Sequence, residues 1–185
     1  MSRSVVREAL ARLASDGVTE ARRGAGSFVI RLPSHLLKRH VQDSDLPGTL
    51  GTYEVRFVLE GEAAKLAATR RSGPEMQTIE DRLVDLRRAL LSDDAADIED
   101  MALHVSIMAA TGNRSFVIAF EALHEDIGRV MKAGVDISRS RPPEVISAMM
   151  AEHEQIVEAI RHHDPDRAAL AMRWHLSQGR RRLMP

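Results

Sequence analysis

Three histidines and one aspartate stand where the surrounding pattern calls for apolar side chains. Asp100 and His104 are four residues apart, among Met101, Ile107 and Met108, so both project from one face of a predicted helix. His153 lies on the stripe of Ile156 and Ile160, and His175 shares its face with Ala168, Ala171 and Met172, small or flexible neighbours that leave room. A charged aspartate on an apolar face is costly unless it is paired or bound to a metal. Taken singly, each imidazole reads as a hydrogen-bonded core residue. Taken together, on separate inward stripes and with one i, i+4 pair, the four read as ligands for a divalent transition metal: Zn first, then Ni, Mn or Fe(II). Both readings stand on these residues alone. An ion with open positions could hold water, a substrate or an effector carboxylate.

The elements that must carry these residues are helices. Apolar positions recur at helical spacing in 52–71, 74–91, 94–111, 114–136, 144–162 and 165–183, broken by Ser72-Gly73-Pro74, Ser92-Asp93, Gly112-Asn113, Arg139 to Pro143 and Asp164-Pro165. Six helices on short loops predict an antiparallel bundle. Upstream, Ser4 can cap a short helix with Val6, Leu10 and Leu13 on one side, ended by Asp16-Gly17. Val18 to Arg22 and Ser27 to Ile30 are extended stretches around Arg23-Gly24-Ala25-Gly26, a hairpin pattern. Helix then basic hairpin is the second half of a winged helix-turn-helix. The fold class is therefore mainly α, with a partial winged helix-turn-helix over 1–31, a linker over 32–51 and an all-helical domain over 52–185.

Composition narrows the function. A chain of 185 residues can bury a core without staples, and the absence of cysteine removes thiol catalysis, Fe–S clusters and disulfides. No apolar run approaches the ~18 residues of a membrane span, so the expectation is a soluble, cytoplasmic protein with no membrane partner. The net charge of -1 conceals an asymmetry. Residues 1–39 hold eight basic and three acidic side chains; residues 40–185 hold 18 and 24. A basic start on an acidic body suggests a polyanion-binding appendage. With 3% aromatic residues there is no base-stacking platform for single strands. No general base stands out for an enzyme. His124-Glu125 lacks the second histidine of H-E-x-x-H, since position 128 is Gly. A metallohydrolase is thus the weaker alternative.

Several ordered motifs carry a resemblance over essentially the whole chain. Ser2-Arg3-Ser4-Val5-Val6-Arg7-Glu8-Ala9-Leu10, Leu13, Gly17-Val18 and Arg23-Gly24-Ala25-Gly26-Ser27-Phe28-Val29 resemble the recognition helix and wing of GntR-family transcription regulators. Tyr53-Glu54-Val55-Arg56, Leu59-Glu60 and Ala67-Ala68 resemble the opening helix of the FCD-type effector domain of its FadR-like subfamily. Asp100, His104, Gly112-Asn113, Glu152-His153, Ile156, Ala159-Ile160, Met172 and His175-Leu176 resemble its metal-ligand pattern.

The resemblance implies a homodimeric, ligand-responsive regulator, a repressor, that binds a double-stranded DNA operator and is not an enzyme. It implies a metal on Asp100, His104, His153 and His175 and a small organic acid effector gripped by Arg56, whose guanidinium can offer a carboxylate two parallel hydrogen bonds. On sequence alone the favoured reading of Arg56 is instead a surface ion pair with Glu60 at i, i+4. His124, on the inward stripe of Phe120, Ile127 and Met131, is a second effector candidate, with core packing the favoured reading.

For DNA, the resemblance places Arg3 and Arg7 on the recognition helix, Ser2 and Ser4 at its phosphate-facing N-terminus, and Arg22, Arg23 and Gly24 on the wing. A complete winged helix of this family has two further helices upstream, so an incomplete N-terminus is expected. The alternative is a metal-dependent ligand-binding module without DNA activity.

Overall fold

Side-chain patterning builds seven helices among the described residues of the computed structural model, which are 19–22, 26–29, 46–92 and 94–183. They are α1 (Leu46–Arg70), α2 (Gly73–Leu90), α3 (Ala96–Ala109), α4 (Arg114–Glu121), α5 (His124–Arg139), α6 (Pro143–Arg161) and α7 (Pro165–Leu183). Two short strands, β1 (Thr19–Arg22) and β2 (Gly26–Val29), pair antiparallel with Thr19 opposite Val29 and Arg22 opposite Gly26. The expected recognition helix, with Ser2, Arg3, Ser4 and Arg7, lies outside the described residues, as do Arg23, Gly24 and the linker up to residue 45.

Local chemistry sets the helix ends. Ser72 and Glu75 form a reciprocal capping box at the start of α2: the Ser72 hydroxyl accepts from the Glu75 N–H, and the Glu75 carboxylate accepts from the Ser72 N–H at 2.7 Å. Gly112 takes a φ of +67°, a backbone state most side chains resist, and Asn113 then caps α4 by accepting from the Ser115 N–H at 3.1 Å.

Two boundaries differ from the periodicity. Helix α1 starts six residues early, at Leu46, because Pro47 falls in the first turn, where its missing N–H has no helical partner to lose. The helix expected over 114–136 is divided at Ala122-Leu123 into α4 and α5, although no glycine or proline marks the break.

Helix α1 packs most extensively on α7, α7 on α6, and α2 on α3. The main core runs from Tyr53, Ala64 and Ala67 through Ile79, Leu86, Leu103 and Ile107 to Ile156, Ile160 and Met172. A second cluster of Ala63, Met101, Met108, Phe120, Ile127 and Met131 seats α4 and α5 on α3 and α1. Between these clusters, α1, α3, α6 and α7 turn a line of charged side chains inward.

Candidate metal centre

Helix α1 contributes Arg56 and Glu60, one turn apart on the face that also buries Ala63, Ala64 and Ala67. The Arg56 Nε–H donates to Glu60 Oε1, and the other Glu60 oxygen accepts from the His104 Nδ1–H. Asp100 and His104 come from α3 and His153 from α6. The His153 Nδ1–H donates to the Met149 carbonyl at 2.9 Å, while its Nε2 lies 2.9 Å from Asp100 Oδ1. His175, on α7, donates from Nδ1 to Glu152 Oε2 at 3.0 Å. Two hydrogen bonds from Arg182, each 2.8 Å, hold Glu152 in turn.

All four predicted ligands are buried and offer ligand atoms within 4.8 Å of one another. The His153 and His175 ring centroids are 4.1 Å apart. Each imidazole has its Nδ1 committed to a carboxylate or carbonyl, which leaves Nε2 as the ring's candidate ligand atom; in the metal-free protein that of His153 is taken up by Asp100. Buried His104 Nε2 has no hydrogen-bond partner; Asp100 Oδ1, at 3.5 Å, is the nearest carboxylate contact. Three imidazole nitrogens and a carboxylate oxygen form a donor set that suits Zn, Ni or Mn, and an orphaned buried nitrogen among them fits such an ion.

The same contacts set the charge states of the metal-free protein. Burial disfavours the His104 cation, but the Glu60 and Asp100 carboxylates outweigh it and raise His104 to about 9. Burial and the neighbouring His153 and His104 lower His175 to about 3, against a weaker pull from Glu152. Burial pushes Glu60 upward, yet Arg56 and His104 prevail and hold it at about 2.

The signs give a bell-shaped curve. A raised histidine contributes stability below its ordinary value of 6.5 that is lost as pH rises through about 9. A depressed histidine contributes stability above 6.5 that is lost as pH falls through about 3, and Glu60 adds a loss from 4.5 down to about 2. The melting temperature of chelator-treated protein is therefore expected to peak near pH 6.5, and His104→Gln should flatten the alkaline limb; an unchanged limb would contradict the assignment.

A cavity of about 30 Å3, room for one or two waters, opens beside the cluster between Tyr53, Arg56, Asp100, His175, Gly179 and Arg182. Arg56 is thus beside the expected ligands. Its pair with Glu60 does form, buried rather than on the surface. His124 is not with them: the break before α5 makes it the first residue of that helix, exposed to solvent, so the inward position expected from an unbroken 114–136 helix is corrected. Arg22 closes β1, and the other DNA candidates fall outside the described residues. Glu60, Glu152 and Arg182 anchor the site without having been singled out as functional in the sequence.

Residues 52–178 match the FCD domain. The chain is 29% identical over 190 residues to the putative L-lactate dehydrogenase operon regulatory protein of Escherichia coli K12, covering 96% of this chain and 70% of that one. It is 29% identical over 194 residues to the Uxu operon transcriptional regulator of the same organism, covering 100% and 73%. Among solved structures, Streptococcus agalactiae GntR superposes with a TM-score of 0.61 at 24% identity, covering 98% of this chain and 82% of that one. No helix among the described residues is long and apolar enough to cross a membrane. The relatives are transcription regulators, not enzymes, and the chain belongs with them, in the FCD-domain branch of the GntR family.

Proposed function

We propose that the protein is a ligand-responsive, DNA-binding transcription repressor. Its helical domain, 52–185, holds a divalent metal on Asp100, His104, His153 and His175 and takes a small organic acid in the adjoining cavity. The observation that carries this is the convergence of three Nδ1-anchored imidazoles and a carboxylate beside a cavity lined by two buried arginines. Bound there, the ion supplies a Lewis-acidic centre for an oxygen ligand. Residues 1–31 form the part of the winged helix that meets a double-stranded operator, and the protein works as a homodimer, the symmetry that lets two recognition helices read a palindrome.

The cavity holds no more than one or two waters, so a carboxylate must be admitted by movement. Arg56 can exchange its Glu60 contact for the incoming carboxylate, which leaves Glu60 held by His104 alone and so changes how α1 sits against α3. Differential contacts of this kind couple two sites by about 1–3 kcal/mol, or roughly 5- to 150-fold in operator affinity.

The test combines metal analysis, a thermal-shift panel of small organic acids on the metal-loaded protein, and a gel-shift on DNA upstream of its own gene at low salt. At least one acid should raise the melting temperature and release the DNA. A panel with no response argues against the effector assignment, and no retarded DNA at low salt argues against the DNA assignment.

A further inference from the structure

The outer faces of α1 and α7 expose large apolar side chains flanked by charged ones. On α1 the exposed stripe is Glu54, Val55, Val58 and Glu62, with Val58 73% exposed. On α7 it is Leu170, Arg173, Trp174 and Arg181. The only tryptophan of the chain is 52% exposed there, and Leu170 is 69% exposed. Large apolar side chains clustered in the open, rimmed by charge, mark an interaction surface. Glu54, Glu62, Arg173 and Arg181 make no ion pair with any described residue. Of these four, both acids are on α1 and both bases on α7.

The two helices lie side by side and antiparallel, as three contacts show: Lys65 Nζ to Asp166 Oδ1 at 3.0 Å, Arg173 across Gly61, and Tyr53 against Gly179. Two copies placed face to face about an axis perpendicular to the helices would set α1 on α1 and α7 on α7, acid against acid and arginine against arginine. An axis parallel to the helices sets α1 on the partner's α7 at the same level. That level brings Glu62 near Arg173, Val58 near Trp174, and Glu54 near Arg181, opposite charges outside and apolar side chains between them. Like charges in contact are penalised, and opposite ones fix register.

We propose that this α1–α7 face is the contact between two copies of the chain, arranged about the parallel axis so that each copy supplies both halves of an isologous interface. The proposal rests on the homodimer reading above and adds where the copies meet.

Sedimentation velocity on the full chain tests it. Val58→Glu and Trp174→Glu are each expected to raise the dimer Kd by at least about 30-fold, the loss of one interface hot spot. Glu62→Arg and Arg173→Glu should each weaken the dimer, and the two combined in one chain should restore it, because the pairs re-form with charges exchanged. All four positions are exposed, so an unchanged far-UV spectrum and melting temperature of a dilute variant verify folding. A dimer that keeps its Kd in both Val58→Glu and Trp174→Glu, or a combined variant no tighter than its parents, overturns the interface while leaving the homodimer intact. A wild-type chain that is monomeric overturns both.

Discussion

Added zinc should raise the melting temperature of the chelator-treated protein, and replacing His153 by Ala should abolish that rise. An ion present at 1,000 times its Kd stabilises the folded state by about 4 kcal/mol. In a domain of this size each kcal/mol is worth roughly 2–4 °C, so the wild-type shift should be about 8–16 °C. His153 stands between the other ligands, 2.9 Å from Asp100 and with its ring 4.1 Å from that of His175, and its Nδ1 is fixed by Met149. Alanine removes one of the four converging donors. The check is a melting curve with and without zinc, paired with elemental analysis of the purified variant. A variant that keeps the full shift and a stoichiometric ion would sink the metal assignment.

The second large effect is expected at Glu60, which no ligand would touch. Glu60 is fully buried, accepts from Arg56 on its own helix, and anchors His104 on α3. Glu60→Ala leaves a buried guanidinium without its counter-charge, a class of change that costs about 3–5 kcal/mol. The melting temperature should therefore fall by about 6–20 °C. Glu60→Gln keeps the volume and an oxygen for His104 but weakens the orientation of that ligand, and such changes lower metal affinity by about 10- to 100-fold. Thermal melts of both variants and a zinc titration of the Gln variant separate structural from metal effects. An Ala variant as stable as the parent would show that Arg56 finds another partner.

The helical sensor was legible because its signals are periodic. Asp100 and His104 declared themselves by an i, i+4 spacing on an apolar stripe, and His153 and His175 by stripes of their own. Their anchors were harder to see. Glu60 four residues after Arg56 looks like a solvent-facing pair, and only the alanines at 63, 64 and 67 betray that this face is inside. Glu152 stands beside His153 in the metal-ligand pattern, but neighbours in sequence point about 100° apart on a helix, so spacing alone does not bring it to the His175 ring. Arg182 sits in a run of three arginines that reads as a solvated helix end, yet it is buried on Glu152. The position of His124 is not legible in the periodicity, because the chain turns at Ala122-Leu123 without a breaker residue while Phe120 and Ile127 on either side pack into one cluster.

The orphaned nitrogen of His104 has a consequence beyond binding. A buried ring nitrogen left without a partner costs the folded state some of the stability that the Glu60 contact at Nδ1 supplies, until something satisfies it. If the proposed ion binds there, metal-free molecules would spend more time open to proteases than loaded ones, and differences of about 1–2 kcal/mol change abundance several-fold in cells. Scarcity would then be registered twice, through the occupancy of each molecule and through how many molecules survive.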